Sequence, residues 1–139
     1  MNFLEIRAEV ESIFSKYRVF KRLERINNKN FNIKITPSYE QREHGSTNVT
    51  SKPVESLVIR EMDEQEERRE LIGLIEACAE EMDGLKQDII KERYMKTDYA
   101  TDGNTAELLG ITPYKYQKTR DAAIKEMAFY LGIVDNILE

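Results

Sequence analysis

The sequence predicts an all-α protein, a helical bundle with a C-terminal helix-turn-helix, an N-terminal helix and an extended linker. Two observations predict this fold class. Apolar residues recur every three or four positions near both ends and in the middle of the chain, which is the spacing of amphipathic helices. Turn and capping residues, such as Gly110 and the pair Thr112-Pro113, separate these segments.

The first predicted element is an amphipathic helix within residues 1–30. Its apolar residues follow the a/d spacing of a helix that packs on another helix: Phe3, Ile6, Val10, Ile13, Tyr17 and Phe20. One interpretation is a helix that packs in the protein's own core. The other is a helix for oligomerisation or partner docking. The second half of the segment is basic, a composition typical of a solvated face.

Residues 31–53 are predicted to form a linker or extended arm. The segment is rich in Asn, Ser and Thr, contains two prolines, and shows little periodicity. A short strand-like piece is predicted from Phe31 to Ile35. His44 lies here without a partner in sequence, so we interpret it as a surface residue.

A helical domain is predicted over residues 54–139. Ser51 is the predicted N-cap of its first helix, and Pro53 suits the first turn. The nearly all-charged run from Asp63 to Glu70 indicates a solvated helix face. Gly84 is predicted to end this region, and the segment that follows predicts another helix with apolar residues at helical spacing: Leu85, Ile89, Ile90 and Tyr94.

Composition and charge restrict the function. The formal net charge is -5, which argues against a protein that coats polyanions with its whole surface. Residues 1–34 hold eight basic and four acidic side chains, residues 55–83 hold three and eleven, and residues 91–127 hold seven and six. Any contact with DNA is therefore expected to be local, at one of the two ends.

Several classes of protein are not expected. Cys78 is the only cysteine, so an intramolecular disulfide or a multi-cysteine zinc site cannot form. Because there is no Gly-rich phosphate loop, no Cys/His pair and a single imidazole, we predict neither an enzyme nor a cofactor or metal site. No apolar run approaches the length of a membrane span and no signal-peptide core is seen, which predicts a cytoplasmic protein without a membrane partner.

The strongest motif is a predicted helix-turn-helix at residues 101–131. Thr101 is a credible N-cap for its first helix, although Gly103 lowers helix propensity there. Ala106 and Gly110 stand where two helices touch and where the turn needs a positive φ, and Ile111 is one of the apolar contacts. Thr112 then caps the second helix, with Pro113 at its first position.

The early part of the second helix carries side chains suited to DNA. Gln pairs with adenine, Lys and Arg pair with guanine or phosphate, and Tyr contacts phosphate or a thymine methyl. An αα-hairpin with an ordinary polar face is the structural alternative. The candidate DNA-binding residues are Thr112, Pro113, Tyr114, Lys115, Gln117, Lys118, Arg120 and Asp121.

Two resemblances extend this interpretation. The segment from Leu85 to Met127, with its Ile-Ile and Arg-Tyr, its Gly-Ile-Thr turn and its Arg-Asp-Ala-Ala-Ile, resembles the last DNA-binding region of bacterial sigma factors. Over about residues 33–133, the order of ITPSYE, KPVESLVI, IIKERYM and GITPYKYQKTRDAAIKEMAFYLGI resembles the ArpU family of phage transcriptional regulators, which is similar to the RinA regulators. The resemblance implies control of late packaging and lysis genes in a bacterial host.

The leading hypothesis is therefore a sequence-specific regulator that binds promoter or operator DNA. Its expected partners are double-stranded DNA, host RNA polymerase, and a second copy in a homodimer through the N-terminal helix, since a single helix-turn-helix binds weakly. One alternative is an interaction protein that binds polymerase or another regulator without contacting DNA. The other is a DNA-packaging adaptor of the small-terminase kind, which forms a ring.

Overall fold

The computed structural model describes residues 2–45 and 48–135, with side chains for residues 2–28 and 64–135. Helices hold 82% of the residues described, and these contain no strand, so the predicted all-α class is confirmed. The elements are α1 (Phe3–Gly45), α2 (Asn48–Glu80), α3 (Gly84–Ile89), a π-helical turn (Ile90–Met95) that we call the π-segment, α4 (Asp102–Leu109) and α5 (Pro113–Tyr130).

Helices α1 and α2 include most of the predicted linker. Residues 31–45 are the end of α1, and residues 48–53 are the start of α2, so the backbone there is helical. The predicted strand-like piece is wrong, because three alternating apolar residues are too few to specify a strand without a pairing partner. The predicted helix start at Pro53 is also wrong, because Pro53 is the sixth residue of α2. The division into domains at these positions stays a prediction.

The N-terminal helix packs in the protein's own core. Ile6, Val10 and Tyr17 from the predicted stripe are buried, as is Phe14. They share one core cluster with buried residues of α2 and the turn after it, of the π-segment and of α5, which are Ile75, Cys78, Ala79, Met82, Ile90, Tyr94, Ala123, Ile124, Met127 and Ala128. Of the two interpretations of this stripe, the core-packing one is confirmed. Each fully buried large apolar side chain contributes about 1.5–3 kcal/mol.

The π-segment continues α3 with one wider turn. The Lys96 N–H donates to the Lys91 carbonyl oxygen at 3.2 Å, a bond that spans five residues. The Tyr94 ring stacks on Phe14 of α1 with centroids 5.0 Å apart and planes at 11°. The Tyr94 carbonyl accepts a hydrogen bond from the Arg18 guanidinium. The wider turn therefore lies where the C-terminal half of the molecule meets α1.

A smaller apolar cluster joins α3 to α4 and α5. Ile89, Ala106 and Tyr116 are its buried members, with Leu85, Leu109 and Ile111 packed around them. Gly84 does not end the preceding helix as predicted. It is the first residue of α3, at φ +52°, after α2 has ended at Glu80. Among the helices of the described ranges, none has both the length and the apolar character that crossing a bilayer requires.

Candidate nucleic-acid interface

The turn between α4 and α5 is short and closed by two backbone hydrogen bonds. Gly110 lies in the left-handed region at φ 70° and ψ 32°. Its N–H donates to the Glu107 carbonyl oxygen at 3.1 Å, and the Ile111 N–H donates to that of Ala106 at 3.1 Å. These bonds satisfy carbonyl groups that the end of a helix leaves free. The predicted positive φ at Gly110 is confirmed, and the chain reverses between the two helices within three residues.

Both N-caps predicted for the helix-turn-helix are confirmed, whereas the predicted N-cap Ser51 is wrong because it lies inside α2. The Thr101 hydroxyl accepts from the Asn104 N–H at 3.1 Å, and the Thr112 hydroxyl accepts from the Lys115 N–H at 3.2 Å. Pro113 then occupies the start of α5, where no intrahelical N–H is needed. The Tyr116 N–H donates to the Thr112 carbonyl oxygen at 2.9 Å. This end of α5 carries the partial positive charge of a helix N-terminus.

Six of the eight candidate DNA-binding residues form one exposed surface. The Tyr114 side chain is 68% exposed, and the Lys118 ammonium lies 5.1 Å from the centre of its ring. A lysine held over an aromatic ring keeps its charge available to an anion on its other side. We call this surface the α5 face, and its residues are Thr112, Pro113, Tyr114, Lys115, Gln117 and Lys118, all of them exposed.

Arg120 is not part of the α5 face, and its predicted outward position is wrong. Its side chain is 7% exposed and ion-paired: Nη1 lies 2.9 Å from Asp102 and Nη2 lies 2.8 Å from Asp121. Residue 120 follows the buried Tyr116 by four positions, so the two share a helix face. This spacing indicates that residue 120 lies on the buried face of α5. The prediction placed it outward because an arginine is usually exposed. Asp121 is half-buried by the same pairing.

The carboxylate of Asp102 joins four side chains. Arg7 of α1 lies 3.2 Å from it, Arg93 of the π-segment 3.0 Å and Arg120 of α5 2.9 Å. The Tyr116 hydroxyl donates to it at 2.7 Å. We call these five residues the Asp102 hub. It fixes the first turn of α4 to α5, to the π-segment and to the N-terminal helix.

The hub keeps Asp102 charged. Burial alone raises the pKa of a carboxyl group, but the hydrogen bond from Tyr116 and the charges of Arg93 and Arg120 outweigh it. The pKa of Asp102 therefore lies below its usual range. Burial, followed by the hydrogen bond to Asp102, raises the pKa of the Tyr116 hydroxyl. Sequence reasoning missed Arg7, Arg93 and Asp102. Arg7 is 95 residues from Asp102 and Arg93 is nine residues from it, so neither pair has the spacing of neighbours on one helix face.

One exposed carboxylate lies beside the α5 face. A groove of about 470 Å³ runs between α4 and α5, and it is lined in part by Ala106, Ile111 and Gln117. Glu107 is exposed on the α4 side of this groove. Because a carboxylate repels phosphate, the α4 side of this groove is less favourable to an anion than the N-terminal turns of α5. Within residues 2–28 and 64–135, no group of His, Cys, Asp and Glu side chains has the arrangement of a metal site.

Comparison of the chain with protein-family models, with curated proteins and with solved structures found no match.

Proposed function

We propose that this protein is a sequence-specific regulator of transcription that binds double-stranded DNA through the α5 face. One observation carries the proposal. A tight turn and an N-cap present five exposed side chains within the first six residues of an 18-residue helix, with two lysines, a glutamine and a tyrosine among them. This is the arrangement in which a helix-turn-helix presents its recognition helix to the major groove.

In the proposed complex, the start of α5 enters the major groove and α4 crosses the phosphate backbone. Gln117 has the paired donor and acceptor that adenine requires, and Lys115 and Lys118 suit guanine or phosphate. Tyr114 is exposed enough to reach a phosphate or a thymine methyl. Arg120 does not contact DNA in this complex. Its hydrogen bond to Asp102 holds α5 against α4.

The resemblance to ArpU and sigma-factor sequences supports a narrower proposal. Under it, the DNA is a promoter or operator of phage late genes for packaging and lysis, and the protein acts in the cytoplasm of the bacterial host. Host RNA polymerase is then a further partner. The small charge of the α5 face supports such a partner. Two exposed lysines attract phosphate only weakly, so further contacts from a partner would be needed.

The test is selection of bound fragments from phage genomic DNA, followed by sequencing. We expect enrichment of a short site over random DNA at moderate salt. The double variant Lys115→Ala/Lys118→Ala should lose affinity about tenfold or more for that site. It should also lower the slope of log affinity against log salt by about 2, because each phosphate contact contributes roughly 0.9.

The matched control is Lys16→Ala/Lys91→Ala, which removes two lysines from α1 and the π-segment. It should bind DNA as the wild type does. If no fragment is enriched, the proposal fails, and an interaction protein that never contacts DNA becomes the better hypothesis. If both double variants weaken binding equally, the contact is diffuse charge attraction and the α5 face does not read the sequence.

A further inference from the structure

Two arginines in the basic second half of α1 bond to the segment that leads into α4. Arg18 Nε lies 2.6 Å from one carboxylate oxygen of Asp98, and Arg22 Nη1 lies 2.6 Å from the other. Arg18 also donates to the Tyr94 carbonyl oxygen. Asp98 belongs to residues 96–101, which join the π-segment to α4. We call Arg18, Arg22 and Asp98 the Asp98 clasp.

Residues 96–101 have few other contacts. Residues 96–99 and Thr101 are exposed and Ala100 is half-buried, and none of them belongs to either apolar cluster. The hydrogen bond from the Tyr99 N–H to the Thr97 hydroxyl, at 3.1 Å, joins two residues of the segment itself. A stretch of chain without core contacts opens at little cost in free energy. The position of residues 96–101 therefore depends on the clasp.

The same face of α1 also holds the start of α4. Arg7 lies 3.2 Å from Asp102 and precedes Arg18 by 11 residues, or about three helical turns, so the two arginines share one face of α1. Between them, the Tyr94 hydroxyl donates to Glu11 of α1 at 2.6 Å. One face of α1 therefore bonds to the chain before, within and after residues 96–101.

Helix α4 contributes little apolar packing of its own. It has eight residues, of which only Thr105 and Ala106 are buried, and its Leu108 side chain is 67% exposed. In the proposed complex α4 crosses the phosphate backbone while α5 enters the groove, so the angle between the two helices determines whether both meet one duplex. A short helix with so few buried side chains depends on polar bonds near its start to keep that angle.

We propose that Arg18, Arg22 and Asp98 are positioning residues for DNA binding, an inference that rests on the proposed function. The clasp holds residues 96–101, and through them α4, in the orientation that contacts DNA together with α5. Without the clasp, these residues would be ordered only when DNA binds, and the entropy lost on ordering them would lower the affinity. The two arginines of α1 therefore act inside the protein and do not contact phosphate.

The test measures affinity for the DNA site that the wild type selects, at several salt concentrations. Asp98→Ala and Arg18→Ala/Arg22→Ala should each weaken binding by about fivefold, because each opens the clasp. The slope of log affinity against log salt should stay within about 0.5 of the wild-type value in both variants, because no phosphate contact is lost. Direct contact of the arginines with phosphate predicts the opposite pattern. Asp98→Ala would then strengthen binding, and the double arginine variant would lower the slope by about 2.

Two controls make the same charge changes outside the clasp. Asp88→Ala removes an exposed aspartate of α3, and Arg25→Ala removes another exposed arginine of α1. Neither should weaken binding.

Amide hydrogen exchange without DNA provides a second measurement. Exchange at residues 97–101 should be faster in Asp98→Ala than in the wild type, whereas exchange in α5 should be unchanged. Thermal unfolding establishes that each variant is folded. If the wild type selects a DNA site and Asp98→Ala binds it equally well or more tightly, this inference is overturned and the proposed function stands. If the wild type selects no site, the proposed function fails and this inference fails with it.

Discussion

The three arginines of the Asp102 hub share one carboxylate. Without it, the Arg120 guanidinium, which is 8% exposed at the side chain, would keep only Asp121 as a partner. Arg7 would keep Glu11, at 3.0 Å, and Arg93 would lose its acceptor in the hub. A charge that loses its partner in a poorly solvated place costs far more than the pair contributes when it is intact.

We therefore expect Asp102→Ala to lower the free energy of unfolding by about 2 kcal/mol, a value reduced from that of a fully buried pair because the carboxylate is one-third exposed. Urea unfolding at pH 7 measures it. Asp98→Ala is the matched control, because Asp98 also holds two arginines, Arg18 and Arg22, but in an exposed place. Asp98→Ala should lower the free energy of unfolding by clearly less than Asp102→Ala does. Equal losses would mean that the hub contributes no more than a surface ion pair.

Acid should weaken the hub as well. The folded-state pKa of Asp102 is lowered, so its contribution is present in full above the unfolded value of about 3.9 and is lost as pH falls through the folded value. We expect the wild type to lose stability below about pH 4. Asp102→Asn, compared by urea unfolding from pH 2 to 5, should lose stability less steeply, by up to about 1.4 kcal/mol per pH unit. If the free energies of unfolding of the two proteins fall in parallel with pH, Asp102 does not contribute to the acid sensitivity.

At the scale of elements, two glycines of α4 and its turn should respond oppositely to alanine. Gly110→Ala places a side chain at φ +70°, which costs about 1 kcal/mol. Gly103 has an ordinary helical φ with no atom within 4 Å of an added Cβ. Gly103→Ala should therefore stabilise the protein by about 0.5 kcal/mol. Thermal unfolding measures the stability of both variants. If both are less stable than the wild type, the backbone at Gly103 is not in an ordinary helical conformation with free space around it.

The elements show what the sequence could and could not predict. Local chemistry was sufficient for the turn at Gly110 and the caps Thr101 and Thr112, because each bond joins residues no more than five positions apart. It was not sufficient for the π-segment, whose extra residue depends on packing against α1. The burial of Arg120 was missed although its spacing from Tyr116 indicated it, because the acceptor that makes burial of a guanidinium possible, Asp102, is 18 residues away.

On the scale of the whole molecule, the first turns of α1 are part of the core rather than an appendage. Phe14 is fully buried against Tyr94. We expect Phe14→Ala to lower the free energy of unfolding by about 3 kcal/mol. Leu4→Ala on the same helix, at a side chain that is 72% exposed, should change it by less than about 0.5 kcal/mol. Urea unfolding followed by circular dichroism measures both.

The same experiment tests whether the molecule unfolds as one unit. A single transition, shifted as a whole by Phe14→Ala, is expected if α1 and the α4–α5 pair share their stability. Two transitions, with only one of them moved, would show that α4 and α5 fold without α1. The domain division near residue 30 would then gain support.

The shared core also determines when the protein can fold during its synthesis. Ile6, Val10, Phe14 and Tyr17 emerge from the ribosome early, but their partners on α5, Ala123 to Ala128, emerge last. At 5–20 residues per second, the ribosome needs roughly 6 to 20 s to translate the 111 residues between Tyr17 and Ala128. Throughout that interval the apolar face of the nascent α1 cannot yet pack against α5 and stays exposed. During translation this face of α1 is therefore a binding site for a holdase chaperone that recognises short apolar helices.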